Sequence, residues 1–145
     1  MKELEKTYIM KGVGKLQYNL GGGVIDLSPD WEKENIDPAF SAETYICNAL
    51  PKLAKLCDVE DFKKYNTPSN KLYHPEINES PLLPPEKISL YQLLLGSANW
   101  IITLSRFDVH YAVNTLSRYS MAPREGHMKA MQWIFGYLRY KHKGK

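Results

Sequence analysis

The sequence predicts an α+β fold that is mostly helical, with a small antiparallel β-hairpin near its N-terminal end. Three stretches carry apolar residues at helical spacing, in the ranges 41–57, 88–104 and 108–141. Short strand-like runs near the N-terminus are separated by Gly21, Gly22 and Gly23, which indicates a hairpin. Five prolines between residues 66 and 85 predict an extended connector between the helices.

The composition fits one domain or a piece of a larger protein. The 145 residues are 43% hydrophobic and 12% aromatic, which is enough for a core and argues against disorder. The net charge is +3, but residues 118–145 hold seven Lys/Arg against one acid (+6), and residues 1–117 hold twelve against fifteen (−3). This basic C-terminal end predicts a polyanionic partner for that end only.

Targeting and redox features predict a soluble intracellular protein. Cys47 and Cys57 are too few for a disulfide scaffold and are expected to be reduced thiols. No signal-peptide core follows the charged segment after Met1, and no run of about 18 apolar residues could span a bilayer. We therefore expect no membrane association, and the sequence does not distinguish the cytoplasm from the nucleus.

The N-terminal strands are predicted at residues 7–10, 16–20 and 24–27, and an acidic irregular segment follows over residues 31–40. No Lys-Ser/Thr pair and no helix follow the three glycines, so a phosphate-binding P-loop is excluded. Three consecutive glycines permit positive φ and close approach to another backbone. A tight turn and a backbone contact with a ligand both remain open.

A first helix is predicted within residues 41–65, with Ser41 as its N-cap. Its inward seam contains Ile46, Ala49, Leu50, Leu53 and Cys57. Pro51 lies inside this helix and costs about 3 kcal/mol there, so we expect a kink or a break over residues 47–50. The connector then covers residues 66–87.

The central stretch is residues 88–109, where Ser89 and Gln92 form a predicted capping box. The predicted inward stripe contains Leu90, Leu93, Leu94, Ser97, Ile101 and Leu104. Gln92, Gly96, Trp100 and Thr103 lie on the opposite side. Between Ser89 and Ser105 there is no charged residue, whereas a solvent-facing side normally carries charge. This side is therefore predicted to contact something other than bulk water or an apolar core.

Two further helices complete the prediction. Asp108 is the expected cap of a helix that turns Val109, Ala112, Val113 and Leu116 inward. A last helix covers residues 124–141, and its apolar face contains His127, Met128, Met131, Ile134, Phe135 and Leu138. The opposite stripe contains Lys129, Gln132, Gly136, Arg139 and Lys143, and Trp133, Tyr137 and Tyr140 lie beside it.

The spacing Q-x-x-x-G-x-x-N-W from Gln92 to Trp100 resembles the first thumb helix of retroviral and retrotransposon reverse transcriptases. The likeness is greatest to the copia-type LTR retrotransposon Pol polyprotein. It includes residues 8–25 (YIMKGVGKLQYNLGGGVI), residues 67–80 (TPSNKLYHPEINES) and residues 105–140, with R-x-D-x-x-Y-A-V-x-x-L-S-R and P-x-x-x-H-x-x-A blocks. It covers roughly residues 8–145, in the order found in that family.

The resemblance implies a C-terminal part of a reverse transcriptase: the end of the palm, the thumb and the start of the connection. Residues 1–40 would be palm-edge strands with a primer-grip-like hairpin at Gly21 and Gly22, and residues 41–65 a helix. Residues 66–87 would be the connector, and residues 88–145 the thumb and connection helices. The implied parent activity is RNA-directed DNA synthesis, and Gln92, Gly96 and Trp100 would follow the minor groove of the primer–template duplex.

The catalytic chemistry of such a polymerase is absent from this sequence. Two or three carboxylates must hold Mg²⁺, and the family uses an aromatic-x-Asp-Asp turn that precedes the stretch matching Tyr8. No Asp-Asp pair occurs, and Glu60-Asp61 is expected to be solvated. We expect no cofactor and no enzymatic activity from this chain alone. Scattered histidines indicate no metal site, and His127 is expected to be packed and hydrogen-bonded.

The remaining chemistry is binding. The candidate nucleic-acid contacts are Gly21, Gly22, Gln92, Gly96, Trp100, Lys129, Arg139 and Lys143. The expected partners are an RNA–DNA or DNA primer–template duplex and the remainder of the Pol polyprotein. Plainer alternatives stay open: Trp100 packing on a neighbouring helix, solvated basic residues, local pairing of Arg106, an inactive retrotransposon relic, or a helical protein–protein interaction module.

Overall fold

The structure is a computed structural model that describes the backbone of residues 18–19, 22–26 and 38–142, and the side chains of residues 22–23 and 41–142. The strand expected at residues 7–10, the turn residue Gly21, and Lys143 lie outside the described residues. The strands are β1 (Tyr18–Asn19), β2 (Gly22–Asp26) and β3 (Pro38–Ser41), and the helices are α1 (Glu43–Leu56), α2 (Pro85–Thr103), α3 (His110–Ser117) and α4 (Glu125–Tyr140). The mostly helical class is therefore confirmed.

The three strands pair antiparallel in the order β1-β2-β3. Tyr18 pairs with Gly23 and Asn19 with Gly22, so these two glycines lie in a strand and not in the turn. β3 pairs with β2 along its length, with Phe40 opposite Val24. Its residues fall in a segment expected to be irregular, and that expectation was wrong because Pro38 stands at the start of the strand, where proline is tolerated.

α1 continues through Pro51 as one helix, so of the kink or break expected over residues 47–50 the break does not occur. Pro51 is exposed and lacks only its own N–H, while Ile46, Leu50 and Leu53 on the inner side are buried and keep the helix against the core. The predicted seam is thus confirmed. Ser41 Oγ accepts a hydrogen bond from the Glu43 N–H at 3.2 Å, which satisfies one backbone donor of the first turn.

α2 begins a turn earlier than the capping box predicted. Pro84 is the N-cap residue and Pro85 occupies the first helical turn, where a missing N–H costs nothing. Ser89 therefore lies inside the helix and does not cap it. The buried residues of α2 are Tyr91, Leu94, Leu95, Ala98, Ile101 and Ile102. Leu93, expected inside, is 47% exposed. The inward side is rotated from the predicted stripe, because α2 carries no charged residue from Ser89 to its end that would mark the outward side.

α3 and α4 bury the predicted residues, including Val113, Leu116, Met131, Phe135 and His127. Asp108 does not cap α3, because it lies in the 3-10 turn Phe107–Val109 and its carboxylate binds other side chains. The four helices share one core. Among the described helices, none combines the length and the apolar character that crossing a bilayer requires.

Candidate nucleic-acid interface

The side of α2 that carries Gln92, Gly96 and Trp100 faces away from the core, as the sequence predicted. Gln92 and Gly96 are exposed, and Trp100 is half-buried, with part of its ring packed against the core. A Cβ built at Gly96 meets no atom within 4 Å, so the backbone there is bare and open. We call Gln92, Gly96 and Trp100 the α2 ridge. It presents an amide, a backbone and an indole without any charge.

The ridge is held in place at its N-terminal end. Gln92 Nε2 donates a hydrogen bond to the Ser120 carbonyl oxygen at 3.1 Å, which links α2 to the turn after α3. From the buried side of α2, the Tyr91 hydroxyl donates to the Leu116 carbonyl oxygen at 2.8 Å. Both bonds fix the rotation of α2 about its axis, so the ridge has one defined orientation relative to α3.

The glycine hairpin is only partly described. Gly22 is buried and lies opposite Asn19 in the β1–β2 pair, while Gly21 is outside the described residues. Gly23 approaches α1, and a Cβ there would lie 3.4 Å from Thr44 Oγ1. Gly23 of β2 therefore lies beside the start of α1, where a Cβ would make only an ordinary van der Waals contact. This contact was not predicted from the sequence.

The expected basic stripe of α4 is largely covered by the chain's own residues. Arg139 forms an ion pair with Asp61 and donates from Nη1 to the Phe62 carbonyl oxygen at 2.8 Å. A Cβ at Gly136 would overlap the carbonyl of Lys63. Asp61, expected to be solvated, is thus the partner of an ion pair, because the segment after α1 packs on this face. The phosphate contact of Arg139 stays a prediction. Lys143 lies outside the described residues.

Two of the three aromatic residues beside that stripe are also engaged internally. Trp133 stacks on Tyr65 with ring centroids 3.5 Å apart, and its Nε1 donates to the Thr67 carbonyl oxygen at 2.9 Å. The Tyr137 hydroxyl donates to Asp108 Oδ2 at 2.7 Å. The third, Tyr140, is 46% exposed, and Lys141 Nζ lies 4.8 Å from the centroid of its ring. The aromatic spacing of Phe62 and Tyr65 was the overlooked signal for this packing.

Lys129 differs from Arg139. Its side chain is exposed, and it forms no ion pair with any residue that the structure describes. It lines a cleft between α3, α4 and the connector. Of the basic residues predicted to contact nucleic acid, Lys129 is the one that the described structure leaves available.

Arg106 joins the end of α2 to α4, and its predicted local pairing is confirmed. The guanidinium is 3% exposed and binds both carboxylate oxygens of Asp108, at 2.9 and 2.7 Å. Its Nη1 donates to the Lys141 carbonyl oxygen at 2.7 Å. Burial alone would raise the pKa of Asp108, but hydrogen bonds from Arg106 and Tyr137 hold it below its usual range. Arg106 is therefore structural and not a ligand contact.

His127 is packed and hydrogen-bonded, as predicted. The Arg124 N–H donates to Nδ1 at 3.0 Å, so Nε2 carries the proton and donates to the Pro75 carbonyl oxygen at 3.1 Å. The ring also stacks on Tyr119. Burial lowers the pKa of His127, and the positive charge of Arg124 adds to that effect. Neutral His127 thus caps the N-terminus of α4 through Nδ1 and holds the connector on α4 through the bond from Nε2 to Pro75.

The described residues contain no group of three or more His, Cys, Asp or Glu side chains placed to hold a metal ion. Cys47 is exposed and Cys57 is half-buried, and both are free thiols. Burial raises the pKa of the Cys57 thiol. What the described surface offers chemically is therefore binding by shape, hydrogen bonds and charge.

Comparison with known proteins places the chain among retrotransposon relatives. It is 31% identical over 140 residues to a putative transposon Ty5-1 protein of Saccharomyces cerevisiae, covering 94% of this chain. It is 26% identical over 141 residues to the retrovirus-related Pol polyprotein from transposon TNT 1-94 of Nicotiana tabacum, again covering 94% of this chain. The chain spans 41% of the yeast protein and 10% of the tobacco polyprotein. No family model and no solved structure matches it.

Proposed function

We propose that this chain is a part of a copia-type retrotransposon reverse transcriptase that grips the primer–template duplex without carrying out the chemistry. In this proposal the strands belong to the palm edge, residues 66–84 are the connector, because α2 begins at Pro85, and α2 to α4 are the thumb and the start of the connection. Both relatives are transposon proteins, and one is a Pol polyprotein by name. That kinship supports a retroelement origin for the whole described fold.

The single observation that carries the proposal is the exposed and uncharged α2 ridge. Gly96 leaves room for a sugar–phosphate backbone to approach α2 closely, since nothing lies within 4 Å of its missing side chain. Gln92 retains its amide oxygen as an acceptor for base edges or sugar hydroxyls, because only Nε2 is used internally. The half-exposed Trp100 ring packs on sugars. These three features suit a minor groove.

The proposal assigns no catalytic residue to this chain. RNA-directed DNA synthesis needs clustered carboxylates that hold Mg²⁺, and the sequence holds no Asp-Asp pair. The Mg²⁺ site would belong to the upstream half of the polymerase. The expected partners are the primer–template duplex and the rest of the Pol polyprotein.

A salt-titrated binding assay tests this function. We expect the chain to bind a fluorescent RNA–DNA hybrid with an affinity that falls as salt rises, because the basic residues predicted to contact phosphates, such as Lys129, release counterions. Replacing both Gln92→Ala and Trp100→Ala should weaken binding at least tenfold, while the circular dichroism melt shows that the fold remains. Unchanged binding of the double variant would remove the thumb role. Binding to a protein partner through the ridge, with little dependence on salt, would favour an interaction module instead.

A further inference from the structure

A cleft of about 450 Å³ lies between the connector, α3 and α4, and none of its lining residues belongs to the α2 ridge. The connector forms one wall with residues 68–71 and 73–76. α3 contributes Tyr111, and α4 contributes Lys129 and Trp133. Its volume is in the range of clefts that take a small organic ligand.

The floor of the cleft is apolar and well supported. It contains side chains from the shared core, among them Ala112, Leu116 and Ile134. Trp133 is held rigidly by its stack on Tyr65 and by the hydrogen bond from Nε1 to Thr67. His127 holds the connector on α4 through Pro75. Contacts within the chain therefore hold the connector wall of the cleft against α4.

Tyr111 is the most unusual residue of the lining. Its side chain is 81% exposed although it lines the cleft, and its hydroxyl makes no hydrogen bond with a described residue. A flat aromatic ring left largely open beside an apolar floor suits another flat ring, because stacking removes both faces from water. Base–aromatic stacking is the common form of such contacts in proteins that bind single strands.

The charge of the rim is positive. Lys71 and Lys129 are both exposed and form no ion pair with any residue in the described part of the chain. The acidic residue of the lining is Glu76, whose carboxylate contacts His74 Nδ1 at 3.1 Å, and two lysines against this one carboxylate leave the rim with a net positive charge. Two free ammonium groups beside an aromatic surface match a ligand that joins a planar ring to an anion.

We propose that this cleft binds one unpaired nucleotide of a single strand, with the base against Tyr111 and the phosphate at Lys71 and Lys129. The choice of a nucleic-acid strand over an acidic peptide rests on the proposed function, since both ligands combine apolar and anionic groups. The cleft is a second site, separate from the α2 ridge, and it takes the unpaired nucleotides that adjoin a duplex. Binding is noncovalent and uses no metal ion.

The test is fluorescence anisotropy of the full 145-residue chain with a labelled oligothymidylate of about ten nucleotides. A matched abasic strand keeps the phosphates and removes the bases. We expect tighter binding of oligothymidylate than of the abasic strand. Tyr111→Ala should weaken oligothymidylate binding at least fivefold and abolish this difference, while Lys71→Ala with Lys129→Ala should weaken both strands and reduce the salt slope.

Two control variants change exposed residues outside the cleft. Phe107→Ala removes an aromatic ring that is 73% exposed, and Lys52→Ala removes an exposed lysine of α1. Both should bind as the unchanged protein does. Thymidine monophosphate, added as a competitor, distinguishes a nucleotide within a strand from a free nucleotide as the ligand. If it displaces the labelled strand only at a far higher concentration than unlabelled oligothymidylate does, the strand is the ligand. If both competitors are equally potent, the strand is overturned in favour of a free nucleotide.

Three results would overturn the inference. They are equal affinity for abasic and thymidylate strands, full binding by Tyr111→Ala, or binding of an acidic aromatic peptide at Tyr111 with no binding of nucleotides. The proposal that the cleft binds a strand can fail independently of the proposal that the α2 ridge binds a duplex, and two variants distinguish the two cases. Gln92→Ala with Trp100→Ala affects the RNA–DNA hybrid and leaves oligothymidylate bound, whereas Tyr111→Ala does the reverse.

Discussion

Two glycines, Gly96 on α2 and Gly136 on α4, show how one residue type performs opposite tasks. Gly96 faces open space, and a Cβ at Gly136 would overlap the Lys63 carbonyl. Glycine in a helix interior costs about 0.5–1 kcal/mol relative to alanine. At Gly136 this cost is offset by the close packing of the segment after α1. At Gly96 no packing within the described residues offsets it, and the proposed contact with a duplex accounts for the glycine there.

The same substitution at these two positions should therefore shift stability in opposite directions. Gly96→Ala is expected to raise the free energy of unfolding by about 0.5–1 kcal/mol through helix propensity. Gly136→Ala is expected to lower it by about 1–3 kcal/mol, because the Lys63 backbone or α4 must move. Urea unfolding followed by circular dichroism measures both. Shifts of the same sign would contradict the packing described for these helices.

Individual residues also show where sequence reasoning fails. The pairing of Arg106 with Asp108 was predictable because the residues are two apart and oppositely charged. The pairing of Arg139 with Asp61 was not, because 78 positions separate them in the chain and no local pattern connects them. Whether a charged side chain is free to bind a ligand is hard to predict from the sequence, since a segment distant in the chain can form an ion pair with it.

At the scale of elements, α4 was predicted well and α2 less well. Most apolar residues of α4 lie on one face, so most of its buried set follows from spacing. Gly136 is the exception, because it was placed on the opposite stripe and is buried under the segment after α1. The chain carries no charge from Ser89 to Ser105, and the leucines of α2 lie on several of its faces, so the spacing does not define one apolar side. Its inner side was set by Tyr91, which hydrogen-bonds to Leu116, and by small Ala98. The outward position of Gln92 was nevertheless predicted correctly.

The N-terminal end of α4 should make stability depend on pH. His127 accepts the Arg124 N–H in its neutral form, and burial lowers its pKa below the unfolded value of 6.5. A depressed pKa in the folded state stabilises the protein above the unfolded pKa, and this stability is lost as the pH falls through the folded pKa. We expect the melting temperature to fall from about pH 6.5 downward.

The variant His127→Gln separates this effect from general acid denaturation. Glutamine at the same helical position can accept the same N–H without titrating. Its melting temperature should change less between pH 7.5 and pH 5, whereas His110→Gln, at an exposed position, should keep the pH dependence of the unchanged protein. Equal pH profiles for all three proteins would show that His127 is not the titrating group. Asp108 also has a lowered pKa, but its contribution is lost only below its ordinary value of 3.8.

α1 offers a prediction about proline. Pro51 is exposed in the interior of a continuous helix, where it removes one backbone hydrogen bond and crowds the preceding turn. Pro51→Ala restores the N–H of residue 51 and is expected to raise the free energy of unfolding by about 1–3 kcal/mol. Denaturant titration measures it. A loss of stability would mean that the local geometry of α1 depends on the proline.

At the scale of the whole molecule, the fold class could be predicted from composition and periodicity. The way the connector packs against the helices could not. The connector was expected to be extended, and its prolines do exclude long helices, but its docking on α3 and α4 depends on contacts such as Trp133 with Thr67. Those contacts create the cleft at Tyr111, which no local pattern indicated. The α2 ridge was predictable because it lies on one helix. The cleft combines three elements and was not.

The account therefore depends on α2 lying along a nucleic-acid duplex, and the bare backbone at Gly96 is its most direct test. Gly96→Leu places a bulky side chain in open space, so the fold should remain while the duplex is held away. Asn48→Leu on the exposed side of α1 adds the same side chain elsewhere. The measurement is the dissociation constant for an RNA–DNA hybrid at fixed salt. We predict at least tenfold weaker binding for Gly96→Leu and no change for Asn48→Leu, and equal affinity for both variants would contradict the account.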